Sequence, residues 1–197
     1  MQMQGWIGRG AAVVVLAALG MGAAASEFSA DMRSSAAGVE TTGRLYVKGD
    51  RMRIEQEAMG QRSVMIIDTA AHVTWMIQED MGMYMEIAGM EAEHGAAVPE
   101  PDAERVDLGT EEVNGYLCDK MEFRLPGDDS VMTQWVARDL NYPIRQVYSG
   151  PEGQMVTEYS NIREGGVADA LMQVPKGYQK MSIPGMGGMG GVPGLTQ

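Results

Sequence analysis

The 197-residue sequence has one cysteine and two histidines. Cys118 has no partner within the chain, so the fold must be held by its core rather than by disulfides. We expect Cys118 to be a small buried hydrophobe. With only His72 and His94, the sequence lacks the histidine motifs of hydrolases and zinc enzymes, and it has no phosphate-binding glycine motif. These absences predict a protein that is not an enzyme, with no catalytic residues, cofactor or metal site of the usual kinds.

Positive charge is also scarce. The chain has 15 lysines and arginines against 27 aspartates and glutamates, a formal net charge of -12. An acidic surface is repelled by the phosphates of nucleic acids and by anionic membranes. We therefore expect no nucleic-acid partner.

Long apolar runs are absent except near the start of the chain. An uncharged stretch over residues 11–24 follows Arg9 and ends in three alanines before Ser26. This order is typical of a cleaved secretory signal peptide, and the run is shorter than the roughly 20 apolar residues that cross a bilayer. No cysteine stands at the cleavage site to carry a lipid. We predict a signal peptide over residues 1–25 and a periplasmic protein without a transmembrane or lipid anchor.

What the sequence does contain is a series of alternating runs separated by turn residues, typical of antiparallel strands. The Gly-Asp pair at residues 49–50 predicts a hairpin in which Val47 faces Met52 and Leu45 faces Ile54. These four side chains share one apolar face. A second hairpin is predicted over residues 72–87, with its turn at residues 79–80. The side chains that alternate onto its apolar face are Met76, Met81, Met83 and Met85.

The remaining chain predicts one domain over residues 26–180. Residues 64–67 are apolar throughout, which indicates a central strand, and five further strands are predicted between residues 105 and 162. A segment rich in Ala, Gly, Glu and Pro separates the two strand sets and allows one short helix at residues 88–97. A helical turn is expected at residues 167–171. Residues 181–197 are rich in glycine and predict a disordered tail.

Methionine is the one residue type in excess, with 19 in the chain. Three interpretations compete: an adaptable core, a deformable apolar groove for acyl chains or peptides, and a thioether site for Cu(I). Met81, Met83 and Met85 would lie about 6 to 7 Å apart along a strand, too far for one ion without sulfurs from other strands. The tail sequence M-G-G-M is the other copper candidate.

Six segments carry a family resemblance across residues 28–181. They are F-S-A-D-M, G-R-L-Y-V-K-G-D-R-M-R-I-E, W-M-I-Q-E-D-M-G-M-Y-M-E, V-N-G-Y-L-C-D-K-M-E-F, W-V-A-R-D-L-N-Y-P-I-R and D-A-L-M-Q-V-P-K-G-Y-Q-K-M. Their order resembles an uncharacterised family of bacterial exported proteins similar to the outer-membrane lipoprotein carrier (LolA-like) superfamily. The resemblance implies a mainly β fold: a strongly curved antiparallel sheet, an open half-barrel, with one or two short helices over its concave face. In the carriers that face holds acyl chains. The sequence departs from the carriers in its helices, since only residues 88–97 and 167–171 qualify as counterparts of their long lid helices.

Together these features predict a non-enzymatic periplasmic binding protein whose concave face takes a lipid, an acyl chain or a hydrophobic peptide. The expected ligand-binding residues are Leu45, Val47, Met52, Ile54, Met76, Met81, Met83 and Met85. Two alternatives stay open, namely methionine-based Cu(I) binding and a scaffold with a filled core and no ligand. Pairing through a sheet edge with an assembly partner is neither favoured nor disfavoured, and the sequence does not indicate an oligomeric state.

Overall fold

A computed structural model describes residues 26–58, 60–88, 103–124, 130–151 and 153–181. Twelve strands in one sheet account for most of this part of the chain. The first six strands are β1 (Glu27–Ala36), β2 (Val39–Lys48), β3 (Arg51–Ala58), β4 (Gln61–Asp68), β5 (Val73–Gln78) and β6 (Met83–Ala88). The other six are β7 (Glu104–Val113), β8 (Tyr116–Arg124), β9 (Val131–Ala137), β10 (Tyr142–Gly150), β11 (Gly153–Glu164) and β12 (Gln179–Met181). Two 3₁₀ helices, Glu79–Met81 and Asp169–Met172, complete the elements.

The strand order across the sheet is β12-β6-β5-β4-β3-β2-β1-β11-β10-β9-β8-β7. Strands β1 to β6 and strands β7 to β11 each form an antiparallel meander, and the pairing of β1 with β11 joins the two. Only β12 runs parallel to its neighbour, β6. The sheet does not close into a barrel. The mainly β, antiparallel half-barrel implied by the resemblance is therefore confirmed.

The first hairpin forms with the predicted register. Val47 lies opposite Met52 and Leu45 opposite Ile54, and Gly49 in the turn has a φ of 59°, which glycine adopts without the steric cost of a side chain. The second hairpin also forms, but its register differs from the predicted one. A two-residue turn at residues 79–80 would place Met76 opposite Met83, whereas Met76 lies opposite Met85.

One element of the second hairpin was predicted wrongly. Met81 lies in the 3₁₀ helix between β5 and β6, not in a strand, and it is 67% exposed. Gly82 then turns the chain with a φ of 59° and donates its N–H to the Glu79 carbonyl. Strand β6 therefore begins at Met83, and Met81 does not share the face of Met83 and Met85.

The curvature of the sheet is visible in its aromatic contacts. Phe28 on β1 packs edge to face against Tyr142 on β10, with ring centroids 5.2 Å apart. Strand β11 lies between β1 and β10, so in a flat sheet the two backbones would be about 10 Å apart. The side chains on this face therefore converge, and we call it the inner face.

The chain after β11 crosses back over the first half of the sheet to reach the far edge at β12. Lys48 on β2 binds this connecting segment. Its ammonium donates to the Val167 carbonyl at 2.8 Å and pairs with Asp169 at 2.7 Å. Val167 and Met172 are both buried. The helical turn predicted at residues 167–171 is thus found as the 3₁₀ helix Asp169–Met172.

The predicted strands of the second half agree with β7 to β11 to within a few residues. Strand β1 was not predicted. The predicted signal peptide, the tail beyond residue 181 and all but the first residue of the helix at 88–97 lie outside the described residues. Among the described residues, no helix is long and apolar enough to cross a membrane.

Candidate functional site

The first four predicted site residues lie in the core. Leu45, Val47, Met52 and Ile54 are between 0% and 6% exposed. They belong to a cluster that joins strands from both halves of the sheet, which we call the inner cluster. Its other buried members are Phe28, Ala30, Met32, Val113, Cys118, Trp135, Ala137, Leu140, Tyr142, Ile144 and Tyr159. This part of the inner face is filled by the protein's own side chains.

Three aromatic rings pack against one another within the inner cluster. The Tyr142 ring packs against Phe28 and, at 5.8 Å between centroids, against Tyr159. Burial raises the pKa of Tyr142 well above its usual value and that of Tyr159 to about 12. Both phenols therefore stay neutral at any physiological pH and behave as packing groups.

Three of the other four predicted residues, Met76, Met83 and Met85, lie where the inner face is partly open, whereas Met81 lies in the 3₁₀ helix. Met76 is 42% exposed, and Met83 and Met85 are half-buried. The register adds two methionines that the sequence did not assign, because Met65 lies opposite Met76 and Met181 lies opposite Met85. We call Met65, Met76, Met83, Met85 and Met181 the methionine face.

The opposite side of these same strands is closed. Val64, Ile66 and Ile77 are at most 3% exposed and form an outer cluster, with Trp75, Tyr84 and Tyr178 packed against it. Residues 64–67 are apolar throughout because their even positions face this cluster and their odd positions face inward. The strands are therefore packed on one side and accessible on the other.

Glu86 ties the outer cluster to β12. Its carboxylate accepts hydrogen bonds from the Lys180 ammonium at 2.7 Å and from the Trp75 indole at 3.1 Å. These two bonds hold the pKa of Glu86 below its usual value. The contact fixes the short strand β12, and with it Met181, beside β6.

A row of buried polar side chains crosses the inner face. The inner cluster lies between this row and the turn of the first hairpin. The register aligns Thr41 with Ser34, Ser34 with Thr157, Thr157 with Gln146, and Gln146 with Gln134. We call these five residues the polar belt, and each is at most 9% exposed.

The polar belt is only partly satisfied by hydrogen bonds. The Ser34 and Thr157 hydroxyls lie 3.0 Å apart, whereas both amide atoms of Gln146 are buried without a partner. The sequence did not predict the polar belt, because its alignment depends on the β1–β11 pairing, which joins residues more than 120 positions apart.

A groove of about 510 Å³ is lined by residues of the five neighbouring strands β11, β1, β2, β3 and β4. Its walls carry charges of both signs that pair with one another. Arg44 donates to Asp31 at 3.1 Å, and Glu55 accepts from Arg53 at 2.7 Å and from Arg62 at 3.0 Å. These pairs leave the groove no excess charge of one sign for a ligand.

A family model matches residues 29–142, more than half of the chain, and its description is "Domain of unknown function (DUF4412)". The chain belongs to the DUF4412 family. No curated protein matches the sequence.

The DUF4412 chain shares its fold with several solved structures. An uncharacterised conserved protein from Thermus thermophilus has a TM-score of 0.58 at 14% identity, covering 80% of this chain and 90% of that one. MucB of Pseudomonas aeruginosa, in its complex with MucA, has a TM-score of 0.52 at 16% identity, covering 76% of this chain. The DUF4412 chain spans only 56% of that longer protein.

The predicted resemblance to an uncharacterised family is confirmed by the family match. A LolA superfamily protein from Nitrosomonas europaea is also similar, at a TM-score of 0.41 and 9% identity over 76% of this chain and 90% of that one.

Cys118 in this DUF4412 chain is fully buried in the inner cluster, as predicted. Burial raises the pKa of its thiol, so the thiolate that would act as a nucleophile is disfavoured. Within the described ranges, no group of three or more His, Cys, Asp and Glu side chains is arranged to hold a metal ion.

Proposed function

We propose that this DUF4412 chain is an exported, non-enzymatic binding protein that holds an extended apolar segment of a partner protein on its methionine face. The observation that carries the proposal is the contrast between the two sides of strands β4 to β6. Val64, Ile66 and Ile77 are sealed in the outer cluster, while Met76 on the inner side is 42% exposed.

Methionine suits such a surface because its side chain is apolar, unbranched and flexible. A thioether with three rotatable bonds can adapt to partners of different shape, and methionine-rich surfaces elsewhere accept varied segments. The neighbouring inward positions on the same strands are uncharged, including Ile67, Thr74 and Ile87. Binding would be driven by burial of apolar area, on the order of 25 cal/mol per Å².

A protein segment fits this face better than an acyl chain. An acyl chain needs an enclosed apolar space, and the inner cluster already fills the curved centre of the sheet with Leu45, Ile54 and the aromatic rings. The open part lies toward the sheet's edge, where β12 pairs with only three residues of β6. A short parallel pairing leaves room for an extended chain beside it. The similar structure of MucB in complex with MucA supports a protein partner for this fold.

Export is supported by the sequence of residues 1–25, with Arg9, the apolar stretch and the alanines before Ser26. A periplasmic address follows from that segment. We include residues 26–180 in one domain, and we assign no cofactor to the proposed binding role.

The proposal is tested by titrating the purified protein with a fluorescent ten-residue peptide of alternating Leu and Ser. Wild-type protein is expected to bind it. The Met76→Glu variant should bind about tenfold more weakly, because the new carboxylate must lose its hydration in the complex. Leu108→Glu is the matched control, since Leu108 is 45% exposed on the opposite edge strand, β7. The peptide affinity of this variant should equal that of wild type.

Two results would overturn the proposal. One is equal peptide affinity in wild type and Met76→Glu. The other is binding of oleate or phosphatidylethanolamine vesicles with no binding of the peptide, which would assign the face to lipid.

A further inference from the structure

Four methionines form one continuous row across the edge of the sheet. Met65 on β4 lies opposite Met76 on β5, Met76 lies opposite Met85 on β6, and Met85 lies opposite Met181 on β12. Side chains of opposite residues project from the same side of a sheet, so all four belong to the inner face. The row continues inward to Ile54 on β3.

The spacing across the row differs from the spacing along a strand. Methionines at alternate positions of one strand are about 6 to 7 Å apart, whereas opposite residues on neighbouring strands have Cβ atoms about 4.5 to 5.5 Å apart. Each methionine side chain is unbranched and has three rotatable bonds, so the position of its sulfur is adjustable. The sulfurs of three neighbours in the row can therefore reach a common point above the sheet.

Thioether sulfur is a soft, uncharged ligand. Soft ligands select Cu(I), while hard cations such as Ca²⁺ and Mg²⁺ require oxygen and Zn²⁺ prefers thiolate and imidazole. The inward residues that flank the row on β4 to β6 include Ile67, Thr74 and Ile87 and carry no positive charge. Met76 is 42% exposed, so an ion can reach the row from solvent.

We propose that the row Met65, Met76, Met85 and Met181 binds one Cu(I) ion through thioether sulfurs, with Met76 and Met85 at its centre. When the ion binds, lone pairs of the methionine sulfurs replace the ligands that Cu(I) had in solution. This is a ligand exchange in which no electron is transferred. The site shares residues with the methionine face but does not depend on the peptide binding proposed above, because it uses the sulfur atoms rather than the apolar area.

The test is an anaerobic titration of the protein against the Cu(I) complex of bathocuproine disulfonate, followed by absorbance. Wild-type protein is expected to withdraw one equivalent of Cu(I). The double variant Met76→Leu/Met85→Leu should lose at least about tenfold in affinity, since leucine keeps the volume and apolarity but has no sulfur. X-ray absorption of the wild-type complex should show a first shell of sulfur only.

The control is Met121→Leu/Met155→Leu, which removes two half-buried methionines from the cluster around Phe123 and Met132. Its Cu(I) affinity should equal that of wild type. Circular dichroism and urea unfolding establish that both double variants are folded. A wild-type protein that withdraws no Cu(I), or equal affinity in the Met76/Met85 variant, would overturn the proposal.

One further variant addresses the other methionines of the sequence. Met186→Leu/Met189→Leu changes the M-G-G-M segment, which lies outside the described residues. Loss of Cu(I) binding there, with retention in Met76→Leu/Met85→Leu, would place the ion on that segment and contradict the row. The peptide titration separates the two proposals, because Met76→Leu/Met85→Leu should still bind the Leu-Ser peptide.

Discussion

The Tyr142 hydroxyl lies 3.9 Å from the Met52 sulfur, although three strands separate their own strands in the sheet. Tyr142 begins β10 and Met52 is on β3, with β2, β1 and β11 between them. Four steps across a flat sheet would place the backbones about 19 Å apart. The contact therefore spans the concavity of the half-barrel and shows that its centre is filled.

Truncation at this contact should destabilise the whole sheet. Tyr142→Ala is expected to lower the free energy of unfolding by about 3 to 5 kcal/mol, because it leaves a cavity beside Phe28 and Tyr159. Tyr142→Phe should cost less than about 1.5 kcal/mol, since the Met52 sulfur is a weak acceptor for the hydroxyl. Urea unfolding measures both, and Leu117→Ala, at an exposed position, is the control. A small effect of Tyr142→Ala would mean that the inner cluster is not packed.

Gln146 should be a source of instability in the free protein. Its amide is fully buried without hydrogen-bond partners, and an unsatisfied buried polar group costs about 1 to 3 kcal/mol. Gln146→Leu is therefore expected to raise the free energy of unfolding by an amount in that range. Thr157→Val, which breaks the hydrogen bond to Ser34, should have the opposite sign. A destabilised Gln146→Leu would show that the amide has partners in solution.

Gly43 allows β2 and β3 to approach closely. A Cβ at this position would overlap the carbonyl oxygen of Glu55 on β3. Gly43→Ala should destabilise the protein by about 1 to 3 kcal/mol through forced backbone movement. Gly38→Ala is a useful comparison, because a Cβ there meets nothing and only the left-handed φ of 80° opposes it, at about 1 kcal/mol. Equal thermal shifts for the two variants would contradict the close approach.

The first hairpin could be predicted to the residue because its turn is local. The alternation around Gly49 fixes which side chains of β2 and β3 face inward, and the observed register agrees. The Met81 assignment failed because a three-residue 3₁₀ helix replaced a two-residue turn, and the strand pattern carries no mark of that difference.

The inner face as a whole could not be predicted from local patterns. Whether Leu45 contacts a ligand or Tyr142 depends on the pairing of β1 with β11 and on the curvature, both of which join distant parts of the chain. The polar belt and the four-methionine row have the same origin. Met181, near the C-terminal end of the domain, reaches Met85 only because the chain crosses back to the far edge.

Asp68 makes stability depend on pH in the acid range. Burial raises the pKa of its carboxyl, but hydrogen bonds from the Ala71 N–H at 2.8 Å and from Arg51 at 2.7 Å outweigh it and hold that pKa below the usual 3.8. The unfolded chain then binds a proton more readily than the folded one. This contribution is fully present well above pH 3.8 and is lost as the pH falls through the lowered pKa of the folded state.

Asp68→Asn should therefore destabilise the protein at pH 7 by about 1.5 to 3 kcal/mol, the range for a hydrogen bond to a charged group. The difference from wild type should shrink as the pH is lowered below 3.8. Urea unfolding from about pH 7 to about pH 2.5 measures it. A difference that does not change with pH would show that the ionised carboxylate is not the stabilising form.

Binding of a partner segment on the methionine face can be observed with a methyl NMR spectrum of protein labelled with ¹³C at the methionine methyl groups. Titration with the Leu-Ser peptide should shift the signals of Met65, Met76, Met83, Met85 and Met181. The signals of Met32, Met52 and Met132, which are at most 6% exposed, should stay in place. Shifts confined to those buried methionines, or no shifts at a concentration where the peptide binds, would show that the peptide does not bind on the methionine face.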